Sequence, residues 1–361
     1  MTVYYVVLGL SLLLLLPSID EHGSIATRGK IATIERKPGV KIGFFIFSVM
    51  LIFVAGFRYH VGTDYSAYYL GYTRYAAQLW VAVKTLDEPV ISLIDRVGLF
   101  FVKNEIGGIL FPACVTLFLI LRTTYKYSSD IFFSGMLLLF TCWSSCFNGI
   151  RQALAAAVLY CGYPYLRDKK LLQYGLVVFL AYLCHKSAII MICAYYICRN
   201  EINAKNVALL IIGSLIILFN YDRLFGFLNT IMDKNYAYET NIYISTAINP
   251  LRVVIHCAPA CYYLIQYWDR KKTKLQTLWL NSLILRAVMM IAASGSTMLG
   301  RVGMYTSTLC LIAIPGLNRG LERDKRNIMK WVILALYGFV WLYELSGSGS
   351  LNQFRFFWQK L

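Results

Sequence analysis

"LLQYGLVVFLAYLCHKSAIIMICAYYIC", residues 171–198, decides how the chain is threaded. It is one apolar run interrupted by "CHKSA". Read as a single kinked helix, it crosses a membrane once and sends every later loop to the opposite side. Read as two pieces, 171–184 and 187–198, each half is shorter than the roughly 20 residues of a full crossing. The later loop "DRKKTK", 269–274, separates the two readings, because a short loop dense in Lys and Arg is retained in the cytoplasm. A single crossing would put it outside. The sequence therefore predicts two short or re-entrant helices meeting at "CHKSA". Irregular backbone at membrane depth is tolerated only where protein or a water-filled cavity covers it. That places a cavity around His185.

The rest of the chain supports a membrane reading. Its 361 residues are 58% hydrophobic and 15% charged, with mean hydropathy +0.58, too apolar for a soluble chain of this length. Runs such as "LSLLLLLP" and "VALLIIGSLIILF" are continuous rather than alternating, which excludes a membrane β-barrel. Twelve segments read as helices: 1–16, 42–57, 106–121, 130–147, 149–166, 171–184, 187–198, 206–221, 251–268, 277–294, 300–317 and 328–346. The first has neither a basic leading region nor a small-residue cleavage site, so it reads as a retained helix. The fold class expected is an all-α polytopic integral membrane protein, one transmembrane domain over 1–361, with about twelve transmembrane or re-entrant helices and both termini extracytoplasmic. With that orientation, 21 of the 35 Lys and Arg fall on the cytoplasmic side and 13 outside, and Arg286 lies within a span. The large loops 58–105 and 222–250 then face outside.

The net charge of +17 does not indicate nucleic acid, since the basic residues are spread over short loops and form no aromatic-interleaved patch. No Walker loop or dinucleotide glycine fingerprint is present. The ten cysteines lie in or beside apolar segments and read as small packing residues rather than disulfides or metal ligands. Asp87, Glu88 and Asp95 read as solvated loop charges, and no acidic pair has metal spacing. No cofactor and no metal is expected.

The polar residues of the outer side form a constellation. Arg58, Arg151, Arg252 and Arg301 stand at outer helix ends, with Arg355 in the tail, and Arg286 is mid-span, where a charge costs several kcal/mol unless it meets a cavity or partner. Arginine's planar fork suits phosphate. A lipid-linked phosphate or pyrophosphate is one ligand that fits, and headgroup contact is the alternative. Of the histidines His22, His60, His185 and His256, His185 sits at the helix junction and is a candidate general base. His22, in a cytoplasmic loop, reads as incidental. Asp64 is the second candidate base, with helix N-cap as its alternative reading.

"RYHVGTDYSAYY" (58–69), "NGIRQALAAAV" (148–158), "LAYLCHKSAII" (180–190) and "GRVGMY" (300–305) together resemble, in order and spacing, the motifs of the EpsG-type family of Wzy-like repeat-unit polymerases of O-antigen and exopolysaccharide synthesis. The resemblance spans 58–305. The tail "NQFRFFW" lacks the proline of the family's aromatic stretch. The resemblance implies a GT-C-like architecture in the bacterial cytoplasmic membrane, with its site facing the periplasm or exterior. It implies a donor glycan on undecaprenyl pyrophosphate, a lipid-linked acceptor unit, membrane lipids around the protein, and a chain-length regulator as partner. His185 and Asp64 would be the catalytic residues. Arg151, Arg286 and Arg301, then Arg58 and Arg252, would bind pyrophosphate without metal. Tyr65, Tyr68, Asn148, Gln152 and Tyr305 would meet sugar or acceptor, and the tyrosines of 236–243 would offer stacking surfaces. An O-antigen ligase shares this chemistry. A flippase or transporter suits the helix count but lacks a visible two-half repeat, and a membrane acyltransferase would need a translocated acyl donor.

Overall fold

The computed structural model describes residues 1–19, 24–28, 31–220 and 248–359. His22, the tyrosines of 236–243 and most of the 222–250 loop lie outside them. Helix α1 (Thr2–Leu15) is followed by a ribbon of β1 (Ser24–Arg28) and β2 (Ile31–Glu35), then α2 (Pro38–Gly56). Pro38 starts α2 where a missing N–H costs nothing. The short strand β3 (Arg58–Tyr59) leads into α3 (Tyr65–Ala77), α4 (Leu79–Thr85) and α5 (Pro89–Gly98). The segment expected as a long polar loop is thus largely helical. Then come α6 (Gly107–Tyr127), α7 (Ile131–Leu138), α8 (Ile150–Cys161), α9 (Tyr163–Arg167), α10 (Leu171–Cys184), α11 (Ile192–Ile197) and α12 (Ala204–Phe219). Beyond residue 247 are α13 (Pro250–Tyr267), α14 (Lys274–Ala292), α15 (Thr297–Val302), α16 (Met304–Arg319), α17 (Arg323–Gly347) and β4 (Arg355–Phe356).

Over their described residues the twelve apolar segments are largely helical, and α2, α6, α14 and α17 are long and apolar enough to cross a membrane. The others are shorter or broken. The turn from α7 continues through a π-helical stretch, Leu139–Trp143, and a 3₁₀ stretch, Ser144–Phe147. It stops at Gly149, whose φ of 66° is open to glycine at no cost. Local signals set the firm helix starts. Thr273 and Gln276 cap α14 reciprocally. Asp130 caps α7 through the Phe133 amide at 2.8 Å, and its other oxygen holds Lys330 Nζ on α17 at 2.8 Å.

The 171–198 stretch is a helical hairpin. A continuous helix would separate Tyr174 from Tyr195 by about 30 Å, yet their rings are 5.7 Å apart. Tyr174 Oη also donates to Met191 O at 3.1 Å. The reversal is at His185, whose backbone is extended (φ −158°, ψ 125°). The chain therefore returns to the end it came from.

The two ends of the described chain meet at one end of the bundle. The Met1 amino group donates to Asn352 O at 2.8 Å, and Tyr4 Oη to Leu351 O at 2.8 Å. The tail then runs back over the start of the α2–α3 connection. Arg58 pairs with Phe356 and Tyr59 with Arg355, Gly62 N donates to Ser350 O, and Phe357 N to Phe57 O. Gly62 has φ 102°, and a Cβ there would sit 2.3 Å from Phe147 O. Only glycine lets this connection lie against the 147–149 turn.

Candidate functional site

That close approach brings Asp64 to the α7–α8 break. Gly149 N donates to Asp64 Oδ2 at 2.8 Å, and Asn148 Oδ1 accepts from the Thr63 amide at 2.7 Å. Asp64 precedes α3 but makes no side-chain cap bond. Asp64 thus stands at the N-cap position, but its carboxylate is turned toward another segment. Its other oxygen lies 3.3 Å from Arg301 Nη2.

Two residues beyond Gly149, Arg151 Nη1 pairs with Glu88 Oε2 at 2.6 Å, and Arg151 Nε donates to Tyr68 Oη at 2.8 Å. Glu88 Oε1 lies 2.6 Å from His185 Nδ1 and accepts the Lys186 amide at 3.1 Å. Lys186 Nζ meets Asp87 Oδ1 at 2.6 Å. Ser187 Oγ and Tyr305 Oη share a hydrogen bond of 2.7 Å. Since Tyr305 stands four residues past Arg301, the contacts close a circuit: Asp64, Gly149, Arg151, Glu88, His185 to Ser187, Tyr305, Arg301 and back to Asp64. Arg151, His185 and Arg301 in this ring are only partly buried, so a ligand can reach them.

Glu88 and Asp95 correct the reading of solvated loop charges. Glu88 is 7% exposed and Asp95 0%. The backbone at Glu88 is left-handed, φ 54°, although it is not glycine and precedes a proline. Such a conformation costs on the order of 1 kcal/mol and persists where surrounding contacts over-determine it. Burial alone would raise the Glu88 carboxyl. The His185 hydrogen bond and charge, then Arg151 and the Lys186 amide, hold it down at about 2. It is a carboxylate at any ordinary pH, placed 2.6 Å from His185 Nδ1, and a neutral imidazole that turns its N–H to that side presents Nε2 as the acceptor. The sequence signal for it was slight: an acidic residue before proline at the start of an amphipathic helix.

Asp95, on the inner face of α5, is different. Neither carboxylate oxygen has a hydrogen-bond partner among the described residues, and burial raises its pKa to about 8. The folded protein then holds a proton that the unfolded chain gives up near pH 4. The stability that Asp95 contributes is therefore greatest below pH 4, falls as pH rises toward 8 and is level above that. Asp95→Asn is expected to raise the melting temperature in detergent at pH 8 by several degrees and to flatten the decline between pH 5 and 8. A decline of undiminished slope in the variant would show that another group causes it.

Not every expected arginine joins the ring. Arg58 is buried, donates to Val61 O at 3.1 Å and to Ala55 O, and faces the Phe147 ring at 4.8 Å. Burial lowers its pKa to about 10, against the pull of Tyr65. It holds the turn after α2 and does not reach the mouth of the site. Arg286 is likewise buried beneath the site. Its Nη1 donates to Gly303 O at 2.6 Å, and Nη2 lies 3.3 Å from His256 Nδ1. The void it lines with Thr141, His256, Ser307 and Tyr337 has room for about one water, too little for a diphosphate. Arg252 sits apart from the ring and pairs with Glu344 at 3.3 Å. Tyr65 and Gln152 are buried beside it, and Arg355 is exposed on β4.

The fold and site define a helical integral membrane protein with a ring of arginines, carboxylates and a histidine at one end of its bundle. The chain belongs to the EpsG family, which matches residues 41–356. Members are Wzy-type polymerase-like, which gives this protein a polysaccharide polymerase-type function. The match runs beyond the four motifs, through the tail strand that pairs with Arg58 and Tyr59. No curated protein and no solved structure matches the chain.

Proposed function

We propose that this protein joins undecaprenyl-pyrophosphate-linked repeat units at the extracytoplasmic face of the bacterial cytoplasmic membrane. The closed ring supports this reading, because it sets a base held by a carboxylate beside two reachable guanidinium groups. An acceptor hydroxyl attacks the anomeric carbon of the donor glycan. The new C–O bond forms as the C–O bond to the lipid diphosphate breaks, and His185 Nε2 takes the hydroxyl proton. Arg151 and Arg301 receive the charge that develops on the departing diphosphate, each exchanging a carboxylate partner for a phosphate oxygen. Asn148 is on the ring where acceptor or sugar would be held, while Tyr68 and Tyr305 are buried and hold Arg151 and Ser187 in place. In this reading arginines supply the electrostatic clamp, so neither nucleotide nor divalent metal is required.

The test uses purified protein in vesicles, a lipid-linked repeat unit, no nucleotide and a chelator. A ladder of glycan lengths on a gel, lost in His185→Ala and in Arg301→Gln, is the expected result. A ladder that survives both changes removes the assigned roles. A repeat unit carried across the vesicle without any ladder replaces polymerisation with transport, and a ladder only with added metal overturns the arginine clamp.

A further inference from the structure

Helices α4 and α5 and the turn after them expose an apolar surface that the polymerase reading does not use. Trp80 is 71% exposed, Phe100 80% and Phe101 76%. Val81, Leu93 and Val97 are exposed with them. Along α5 the inward positions are Ile91, Asp95 and Gly98, while Leu93 and Val97, four apart, present a second apolar face outward. A water-facing subdomain would not carry this, since contiguous apolar patches on soluble surfaces rarely exceed a few hundred Å².

Two observations say what covers it. The first is continuity. Phe101 is packed on Phe111 of α6 with ring centroids 6.3 Å apart, and α6 is long and apolar enough to cross a membrane. The patch ends six residues before Gly107, where α6 begins. It therefore sits at the level where a span leaves the hydrocarbon. The second is charge. Arg74, Lys84, Arg96 and Lys103 are exposed around the patch, against the exposed acids Asp87 and Glu105. Indole and phenyl rings with a basic rim are the composition of a helix lying in the headgroup–acyl boundary.

We infer that residues 79–101 form a membrane-interface platform, seated in the leaflet at the polar end of the bundle and held there by Trp80, Phe100 and Phe101 against lipid. Glu88, at the start of α5, is then fixed at the lipid–water boundary, and with it Arg151 and His185. The site opens at the depth of phospholipid phosphates, not in open water. This inference needs only that the chain is a membrane protein and stands or falls independently of polymerase activity.

The experiment is tryptophan fluorescence of the full chain in vesicles of phosphatidylethanolamine and phosphatidylglycerol, with and without bromine on the acyl chains. The signal of Trp80 is the wild-type spectrum minus that of Trp80→Phe. A second reporter, Phe101→Trp in the Trp80→Phe background, guards against a change in folding at one position. Both indoles are expected to emit at short wavelength and to lose most of that emission in brominated lipid. Long-wavelength emission quenched by iodide and not by brominated lipid would overturn the platform by placing it in water. Short-wavelength emission quenched by neither would overturn it by showing that protein, such as a second copy of the chain, covers the patch.

Discussion

Glu88→Gln is expected to lower the polymerisation rate on the order of 10³-fold, the scale on which losing the orienting carboxylate of a catalytic histidine is felt. The side chain serves two partners at once. Its Oε1 lies on His185 Nδ1 and its Oε2 on Arg151, each at 2.6 Å. Glutamine keeps the length and can still accept from one of them. It cannot carry the charge that fixes the imidazole tautomer, and its amide NH₂ meets a guanidinium that is itself only a donor. The imidazole would be free to place its proton on either nitrogen, and Arg151 would swing on Tyr68 alone. Both losses are felt mainly in the transition state, so kcat should fall far more than KM rises. Glu88→Asp, one methylene shorter, should fall between, reaching one partner but not both. Initial rates of ladder formation per folded molecule, with a melting curve for each variant, measure this. A Glu88→Gln protein within a few-fold of the native rate would mean that the carboxylate only holds the α4–α5 turn.

How much of this was legible before the structure differs by element. The hairpin at His185 was readable because two independent signals agreed: neither half of 171–198 spans a bilayer, and the charge of 269–274 forbade one crossing. Asp64, Arg151, His185 and Arg301 were readable because ionisable groups beside apolar helices need a reason to be there. Glu88 was not, because an acidic residue in a long polar segment looks solvated until α5 is seen to turn it inward. Arg58 and Arg286 show where that signal stops. A guanidinium near a helix end or mid-span announces that something satisfies it, but sequence does not say whether that is a ligand or the backbone carbonyls of Ala55, Val61 and Gly303. The tail strand was hidden for a simpler reason: a two-residue pairing across almost the whole chain has no periodicity to detect.

Arg286→Met separates the two meanings of a buried arginine. The Gly303 carbonyl it holds belongs to the turn between α15, which carries Arg301, and α16, which carries Tyr305. The fit is close, since a Cβ on Gly303 would stand 2.5 Å from Arg286 Nη1. Among the described residues no carboxylate pairs with the guanidinium. Removing an uncompensated buried charge for an apolar side chain of similar length is neutral or stabilising by about 1–4 kcal/mol. Gly303 O keeps its bonds from Thr306 Oγ1 and from the Thr306 and Ser307 amides, so only His256 Nδ1 loses a partner, which takes back about 1–3 kcal/mol. The net change in melting temperature should therefore be small. Activity should not be small in its response. With the turn released, Arg301 and Tyr305 lose their registration against Asp64 and Ser187, and a displacement near 1 Å in such a site costs about 10²-fold. A positioning role thus appears as a protein that melts normally and polymerises poorly. Arg286→Lys should not rescue it, because an ammonium cannot span Gly303 O and His256 Nδ1 as the planar fork does. If Arg286→Met unfolds the protein while the surviving folded fraction works at the native rate, the arginine is structural only, and the registration of Arg301 must come from elsewhere in the ring.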